Sequence, residues 1–497
     1  MDTSNEFRAE LYETLAEQGE LPQRKPKINL DSDPVKPTGY KEEVTGTYEV
    51  DAKIDEELRN CWSNGIKIDE KDLSELDAMN KLYCHALVGG KNVIVGRRFC
   101  QVQGMALTFE SPAEFKKKFM HEKFISGKNR GQAWLEWPGK NFKPGGTGFF
   151  PDPWLVAKAR RTTCPPDVLN FYRSFQVEPK AGDVSPYLNH LKYGICDGHE
   201  PSYRYAIGWM AHLVQKPNQK PSVAIVLKSV EGTGKGTMAE PLLRILGPHG
   251  NKTNGAYAIA GRFNGTVANR LLIFADEVDL TDKHVADRLK GIVSETTVNM
   301  ERKGLEIEPL PNYCRLIFAS NHSRVLSAGI RERRYLVLEP SDRHAQDEAY
   351  FTRLWHWTNN DGPAYLLDYL LNVDLSDFDP YRCPQTPGLI AEKLGNLSGV
   401  NQFFYNKITE HEPFGGRVRI SATELVDDFI SWSVEQEQKV NKPAARSCIG
   451  QTMAKLGIEV MGRSDRGDGK YYELPDRAVL VQEFAKMLDI PEEAIEL

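Results

Sequence analysis

Apolar positions change their rhythm several times along the chain, and each rhythm predicts a different element. Near the start, Phe7, Leu11 and Leu15 recur at i, i+4, with Thr3 and Glu6 placed as a capping box, which predicts one short helix. The following QRKPKINLDSDPVKPTGY has no period and is dense in Pro and charge, so an extended arm is expected. From about 80 to 165, LYCHALV, KNVIVG and MALTFE alternate or cluster β-branched and aromatic residues, while AWLEWPG and GGTGFFPDP supply turns. That is the pattern of a small β-rich unit. Residues 166–215 read as helices, with Leu169, Tyr172 and Phe175, then Tyr187 and Leu191, then Tyr205, Trp209 and Leu213 at helical spacing.

After residue 221 the apolar positions gather into short uninterrupted runs, as in strands buried on both faces. Val223–Leu227 (VAIVL), LLIFADE at 271–277, CRLIFASN at 314–321 and Tyr335–Leu338 are four such runs, and MAEPLLRIL reads as a helix with Pro241 early in it. Residues 341–395 look helical, with Tyr365, Leu366, Tyr369 and Leu370 in register, and DFDPYRCPQTPG marks a boundary. In the last hundred residues, Ser421 and Glu424 form a capping box for a helix bearing Leu425, Phe429 and Trp432. A second helix, Ser447–Leu456, precedes IEVMGRSDRGDGKYYEL, a hairpin with Arg463, Arg466 and Lys470 at a Gly-rich tip. Helix, helix and basic wing predict a winged-helix-like domain whose Arg446, Gln451 and Lys455 face a groove or phosphate; a protein-docking module of the same shape is the alternative.

Composition narrows the class. The 497 residues suggest about three domains, and 40% hydrophobic with 27% charged residues is ordinary for a globular protein. No run approaches the roughly 20 apolar residues of a membrane span, and MDTSNEFRAELYE lacks a signal-peptide pattern. The eight cysteines are scattered without a CxxC pair, which fits a reducing, cytoplasmic compartment. Cys196 and His199 in CDGH are the nearest approach to a metal motif, but no second pair answers them and a solvated loop is the better reading. The net charge of −6 hides an uneven distribution: residues 1–60 carry −7, whereas 91–161 carry +9. Lys116, Lys117 and Lys118 lie there between Phe115 and Phe119, a mixture suited to a nucleic-acid backbone or to a plain solvated helix face.

The chemistry concentrates in 221–340. A strand, then SVEGTGKGT at 229–237, then a helix makes a phosphate cradle: Gly232, Thr233, Gly234 and Gly236 let backbone N–H groups point inward, and Lys235 reaches the β/γ-phosphates. Ser229 stands where the usual motif has its first glycine, and Gly236 where it has a Mg²⁺-binding hydroxyl, with Thr237 one residue later. Asp276, 41 residues after Lys235, ends the next buried run and suits hydrated Mg²⁺, with Glu277 beside it to polarise water. Asn321 ends the third run, and Arg331, Arg333 and Arg334 precede the fourth, where a guanidinium would stabilise a transferred phosphoryl group. Between them, TTVNMERKGLEIEPLPN predicts a hairpin with Arg302 and Lys303 near its tip, either a DNA-gripping projection or an ordinary charged turn.

The order EGTGKGT, LLIFADE, IFASN, GIRERRY resembles the superfamily 3 helicases, the viral and plasmid branch of AAA+ ATPases, and most of all the helicase part of phage and integrated-element primase-helicases. The resemblance implies ATP and Mg²⁺ as cofactors, Lys235 and Thr237 on nucleotide and metal, Asp276 and Glu277 as Walker B, and Asn321 as sensor 1. It also implies Arg333 or Arg334 as a finger inserted into the neighbouring subunit, a basic hairpin gripping DNA in a ring channel, 3′→5′ travel and usually a hexamer. The expected architecture is α/β: an acidic arm (1–60), an α+β accessory domain (61–215), an AAA+ P-loop ATPase core of parallel sheet flanked by helices (216–345), a helical lid (346–396) and a winged-helix-like domain (397–497). Expected partners are single-stranded and forked DNA, further copies of the chain, and a separate primase or other replication proteins. A primase activity of its own is not expected, because the one early DxD pair, Asp31 and Asp33, lies in the Pro/Lys-rich arm and reads as a turn.

Overall fold

The computed structural model describes residues 70–100, 104–122, 128–261, 266–300, 308–322, 324–326, 329, 332–462 and 469–495. The leader helix, the arm with Asp31 and Asp33, Arg302, Lys303, Arg331, Arg463 and Arg466 lie outside the described residues. No described helix is long and apolar enough to cross a membrane.

The N-terminal unit is built on β1 (Cys84–Val88), β2 (Lys91–Cys100) and β3 (Gly104–Glu110), antiparallel, with β4 (Phe142–Lys143) added parallel to β1. Helices α1 (Glu70–Leu82), α2 (Pro112–Lys118) and α3 (Arg130–Glu136) cover it around Leu76, Phe115, Trp134 and Trp137. Next come β5 (Gly146–Gly148), α4 (Trp154–Lys158) and β6 (Val168–Asn170). The helix expected from Leu169, Tyr172 and Phe175 is not there: Leu169 lies in β6, paired parallel with β5. The Asn170 carboxamide exchanges two 3.0 Å hydrogen bonds with the Phe150 backbone, satisfying a strand-like partner that spacing alone does not reveal. The helices begin at α5 (Ser185–Asn189), which passes through a π-helical turn, His190–Ile195, before α6 (Glu200–Gln215).

The central sheet contains β7 (Ala224–Lys228), β8 (Gly250–Asn254), β9 (Leu272–Asp276), β12 (Arg315–Ser320) and β13 (Tyr335–Leu338), all parallel, in the order β13-β7-β12-β9-β8. Helices α7 (Lys235–Leu246), α8 (Tyr257–Ala260) and α9 (Lys283–Ser294) and the hairpin β10 (Thr297–Met300)–β11 (Glu308–Pro311) connect them. Continuous apolar runs are required because both faces are covered. One face packs on α6, α7 and α11 (Gly362–Asn372), and the other on α8 and α9. The first of these cores runs without a break from Cys84 through Trp209 to Leu375, so the boundary expected at residue 215 is not a packing boundary.

Two buried cations support this core. Arg315, at the start of β12, donates to the carbonyls of His212, Lys216 and Gln219 at 3.4, 3.2 and 2.8 Å, satisfying the C-terminal end of α6. The Lys220 ammonium donates to the Cys314 carbonyl, and burial pushes it down to about 7. Above that value the unfolded chain still holds the proton that the folded chain has released, so stability rises with pH from about 7 towards the usual lysine range. We expect the melting temperature to climb between about pH 7 and pH 9, and Lys220→Met to flatten that climb. An unchanged slope in the variant contradicts the assignment.

After α10 (Glu348–Asn359) and α11, α12 (Pro387–Gly395) leads into a C-terminal unit with its own core, to which Ile390 and Leu394 of α12 also contribute. Its order is α13 (Gly399–Thr409), β14 (Arg419–Ser421), α14 (Ala422–Glu435), α15 (Lys442–Lys455), β15 (Val460–Met461), β16 (Tyr471–Glu473) and α16 (Arg477–Leu488). The strands form an antiparallel sheet, β14-β16-β15. Ser421 caps α14, accepting from Thr423 N at 3.3 Å, whereas Glu424 pairs with Arg417 at 2.6 Å.

Candidate functional site

Four of the sequence-predicted residues converge at the C-terminal edge of the parallel sheet. The loop after β7 turns through Gly232 and Gly234, both left-handed at φ +78° and +83°, and enters α7 at Lys235. A Cβ on Gly234 would sit 2.5 Å from Phe351 Cε1 and 2.9 Å from His190 Cε1, so conformation and space both demand glycine. No side chain caps the N-terminus of α7, which leaves the positive end of the helix facing the loop; the Thr237 amide turns back to Gly234 O at 3.0 Å. Thr233 is buried and bonds Ser229 Oγ at 2.6 Å, closing the loop on itself.

Lys235 folds across this loop, its Nζ donating to Ser229 O (2.7 Å) and Val230 O (2.9 Å). Burial holds its pKa below the usual lysine range, while Asp276 and Glu231 pull upward. Those carbonyls hold the ammonium where a phosphate oxygen would compete for it. Asp276 is the last residue of β9, with Lys252 of β8 4.0 Å away. Glu277 follows in the left-handed region at φ +53°, its N–H on Asp276 Oδ1 (3.1 Å), and its side chain is exposed at the tip of β9. A non-glycine held at positive φ is strain of the kind found at functional sites. Asn321, just past β12, donates from Nδ2 to Glu231 Oε1 at 3.3 Å, joining the third strand tip to the glycine-rich loop.

Thr237 departs from its expected metal role. It is buried, and its hydroxyl bonds Gly234 O and His190 Nε2, the latter at 2.7 Å. One residue further along a helix is a rotation of about 100°, which turns position 237 towards His190 and the underside of the loop. At Gly236 a Cβ would meet nothing within 4 Å, so the usual hydroxyl position is open and simply lacks its side chain. Of the two residues expected at a metal, Asp276 ends at the sheet edge, whereas the Thr237 hydroxyl is taken up by His190 and Gly234 O.

Arg333 and Arg334 are not brought to this cluster. They precede β13, whose Tyr335 pairs with Ala224 at the start of β7, so the strands' length of about 16 Å separates them from the loop of their own chain. Buried Glu332 accepts from both their backbone amides, at 3.1 and 3.0 Å, and lies 3.5 Å from the Arg334 guanidinium; Arg333 is exposed.

The expected DNA contacts are spread over three regions. The hairpin that carries Arg302 and Lys303 has its stem in β10–β11, with Thr297 opposite Pro311. Of the lysines on α2, Lys117 pairs with Glu114 (2.8 Å) and Lys118 with Glu110 (3.0 Å), so much of that charge is already answered; Lys116 is half-buried. Arg446 and Lys455 are exposed on α15, and Lys470 is exposed at the base of the β15–β16 hairpin. Cys196 is buried and His199 bonds Ser202 Oγ at 2.7 Å, an arrangement that opens α6 rather than a metal site; among the described residues no group of three metal-ligating side chains occurs.

Sequence reasoning missed Glu392. Buried on α12, it accepts from the backbone amides of Val325 (3.3 Å) and Leu326 (3.0 Å) and pairs with Lys228 at 3.0 Å. It thus ties the C-terminal unit's leading helix both to the strand feeding the glycine-rich loop and to the segment after Asn321. No local pattern marks a glutamate for such burial.

A family model described as a family of unknown function (DUF5906) matches residues 227–334. Over 257 residues, 50% of this chain, the sequence is 23% identical to the DNA primase-polymerase of Nitratiruptor phage NrS-1. That match takes in 35% of the phage protein, so the chain spans about a third of the length of this relative. Two apo structures of the NrS-1 C-terminal region superpose with TM-scores of 0.58 and 0.57, each at 16% identity, covering 80% and 82% of this chain and 98% and 100% of theirs. The chain therefore shares the mixed α/β fold, with its parallel sheet and many helices, of the NrS-1 C-terminal region.

Proposed function

We propose that this protein is an ATP-hydrolysing, ring-forming DNA helicase of phage or mobile-element replication. The observation that carries the reading is the convergence of Lys235, Asp276, Glu277 and Asn321 on one edge of a parallel sheet ordered β13-β7-β12-β9-β8. Similarity to a phage DNA primase-polymerase supports the replication setting. In this mechanism the loop amides and Lys235 bind the phosphates, Lys235 exchanging its carbonyl partners for phosphate oxygens. Asp276 would hold hydrated Mg²⁺, which when bound neutralises charge on the β- and γ-phosphates. Glu277 takes the proton of the attacking water, and Asn321, freed from Glu231, orients that water. Arg333 of a neighbouring copy completes the site, and hydrolysis moves the Arg302–Lys303 hairpin along a strand. The superfamily resemblance supports a hexamer travelling 3′→5′.

Placement of the arginines away from their own loop makes a direct prediction. Arg333→Ala should lower ATP hydrolysis by about 10³-fold, with a smaller loss for Arg334→Ala, whose side chain is already held by Glu332. Mixing Arg333→Ala with Lys235→Ala subunits should restore part of the rate, because some interfaces then combine an intact arginine with an intact lysine. No restoration at any ratio contradicts a finger acting between subunits.

A second reading is a nucleotide-switched DNA-binding scaffold or origin initiator, favoured by the C-terminal helix, strand, helix, helix, hairpin unit with Arg446 and Lys455 exposed on α15. Strand separation of a forked duplex by the full chain distinguishes the two. The helicase reading predicts ATP-dependent separation; the alternative predicts a discrete footprint, lost on deleting 397–497, with the duplex intact.

A further inference from the structure

We propose that His190 is a positioning residue for the phosphate loop, locking it from behind through Thr237 on one side and Tyr350 on the other. The inference rests on the nucleotide-hydrolysing reading and deepens it. His190 is buried, yet both ring nitrogens are engaged: Nε2 with Thr237 Oγ1 at 2.7 Å and Nδ1 with Tyr350 Oη at 3.0 Å. Thr237 donates in turn to Gly234 O. That donation leaves the threonine oxygen to accept, so the histidine carries its proton on Nε2 and accepts from Tyr350 at Nδ1. The result is a one-way chain, Tyr350 to His190 to Thr237 to the Gly234 carbonyl, ending on the backbone of the loop. Burial keeps the imidazole neutral, with its pKa pushed down to about 4, as this chain of donors requires.

Packing reinforces the bonds. The ring edge and Phe351 fill the space against Gly234, and Gln346 covers Gly232 while its N–H reaches Gly232 O at 3.3 Å. Each left-handed glycine of the loop is thus backed by a side chain from outside it. His190 reaches this position from a π-helical turn, a local irregularity frequent at functional sites. Tyr350 is itself fixed by a parallel stack on His344, ring centroids 3.9 Å apart. Thr237, unsuited to metal, thereby gains a different purpose: it transmits the position of His190 to the loop.

The test is equilibrium titration with a fluorescent ATP analogue, with kcat and KM for ATP alongside, on the full chain and on Lys235→Ala, Thr237→Val, His190→Phe and His190→Gln. Thr237→Val is isosteric and breaks the chain without emptying the core, so it carries the test even if His190→Phe fails to fold. Thr237→Val and His190→Phe should each weaken nucleotide binding by about tenfold, raising KM more than they lower kcat, and the double variant should be no worse than either. His190→Gln, whose amide can donate to Thr237, should recover most of the affinity. Wild-type affinity in both Thr237→Val and His190→Phe, with Lys235→Ala impaired, overturns the positioning role and leaves the ATPase reading intact. A His190→Gln as weak as His190→Phe overturns it as well, since restoring a donor to Thr237 would then leave the loop no better held. If the unaltered protein binds no nucleotide, the ATPase reading falls and this inference with it.

Discussion

Lys235→Ala should abolish ATP hydrolysis while leaving the protein folded. The Lys235 ammonium is held by Ser229 O, Val230 O and, at 3.3 Å, Ser229 Oγ, all within the loop it serves. Removing it costs the fold little: the residue is partly exposed, its ammonium bonds atoms of the loop itself, and alanine is the best helix former at the start of α7. The site loses its one lysine aimed at the phosphates, so nucleotide affinity should fall by about 10²-fold or more and phosphate release should drop to background. Circular dichroism and melting temperature should be near those of the unaltered protein. Hydrolysis at the original rate would mean that the loop is not the phosphate site.

Glu277→Gln should separate binding from chemistry. The amide preserves size and the left-handed backbone but cannot accept a proton from water. Binding should stay within about threefold, whereas turnover should fall by about 10²- to 10⁴-fold, and ATP should be recovered intact from the complex. The companion change, Asp276→Asn, should instead make hydrolysis demand more Mg²⁺, because in the proposed mechanism Asp276 would hold the metal and Glu277 would be the base. Equal loss of binding and turnover in Glu277→Gln would place the residue in the binding site and not at the water.

The parts of the site that lie at strand tips were legible in the sequence. An unbroken apolar run has few conformations open to it once both faces are covered, so VAIVL, LLIFAD and RLIFAS each announced a strand and delivered the next polar residue to its end. The errors came from interactions between distant segments. Leu169, Tyr172 and Phe175 share a helical spacing, but the Asn170–Phe150 exchange draws the segment out into a strand. Thr237 satisfies a near-match to the phosphate-loop motif, yet the angular step of a helix, which a linear motif omits, aims it at His190, 47 positions earlier. Lys118 meets Glu110 from eight residues away, across the turn between β3 and α2, a pairing that helical spacing does not show. Glu392, Arg315 and Lys220 carry charges that usually mark surface, and only the assembled core shows each one buried against backbone groups or an opposite charge.

Hydrolysis coupled to DNA is the central expectation of the proposed function. The steady-state ATPase rate of the full chain should therefore be measured with and without a tailed duplex, beside its mass by light scattering. We predict that hydrolysis rises several-fold on adding the DNA and that, with ATP present, the particle weighs a multiple of the 56.1 kDa chain. A rate indifferent to DNA, or a protein that remains a single chain while hydrolysing ATP at full speed, would contradict it.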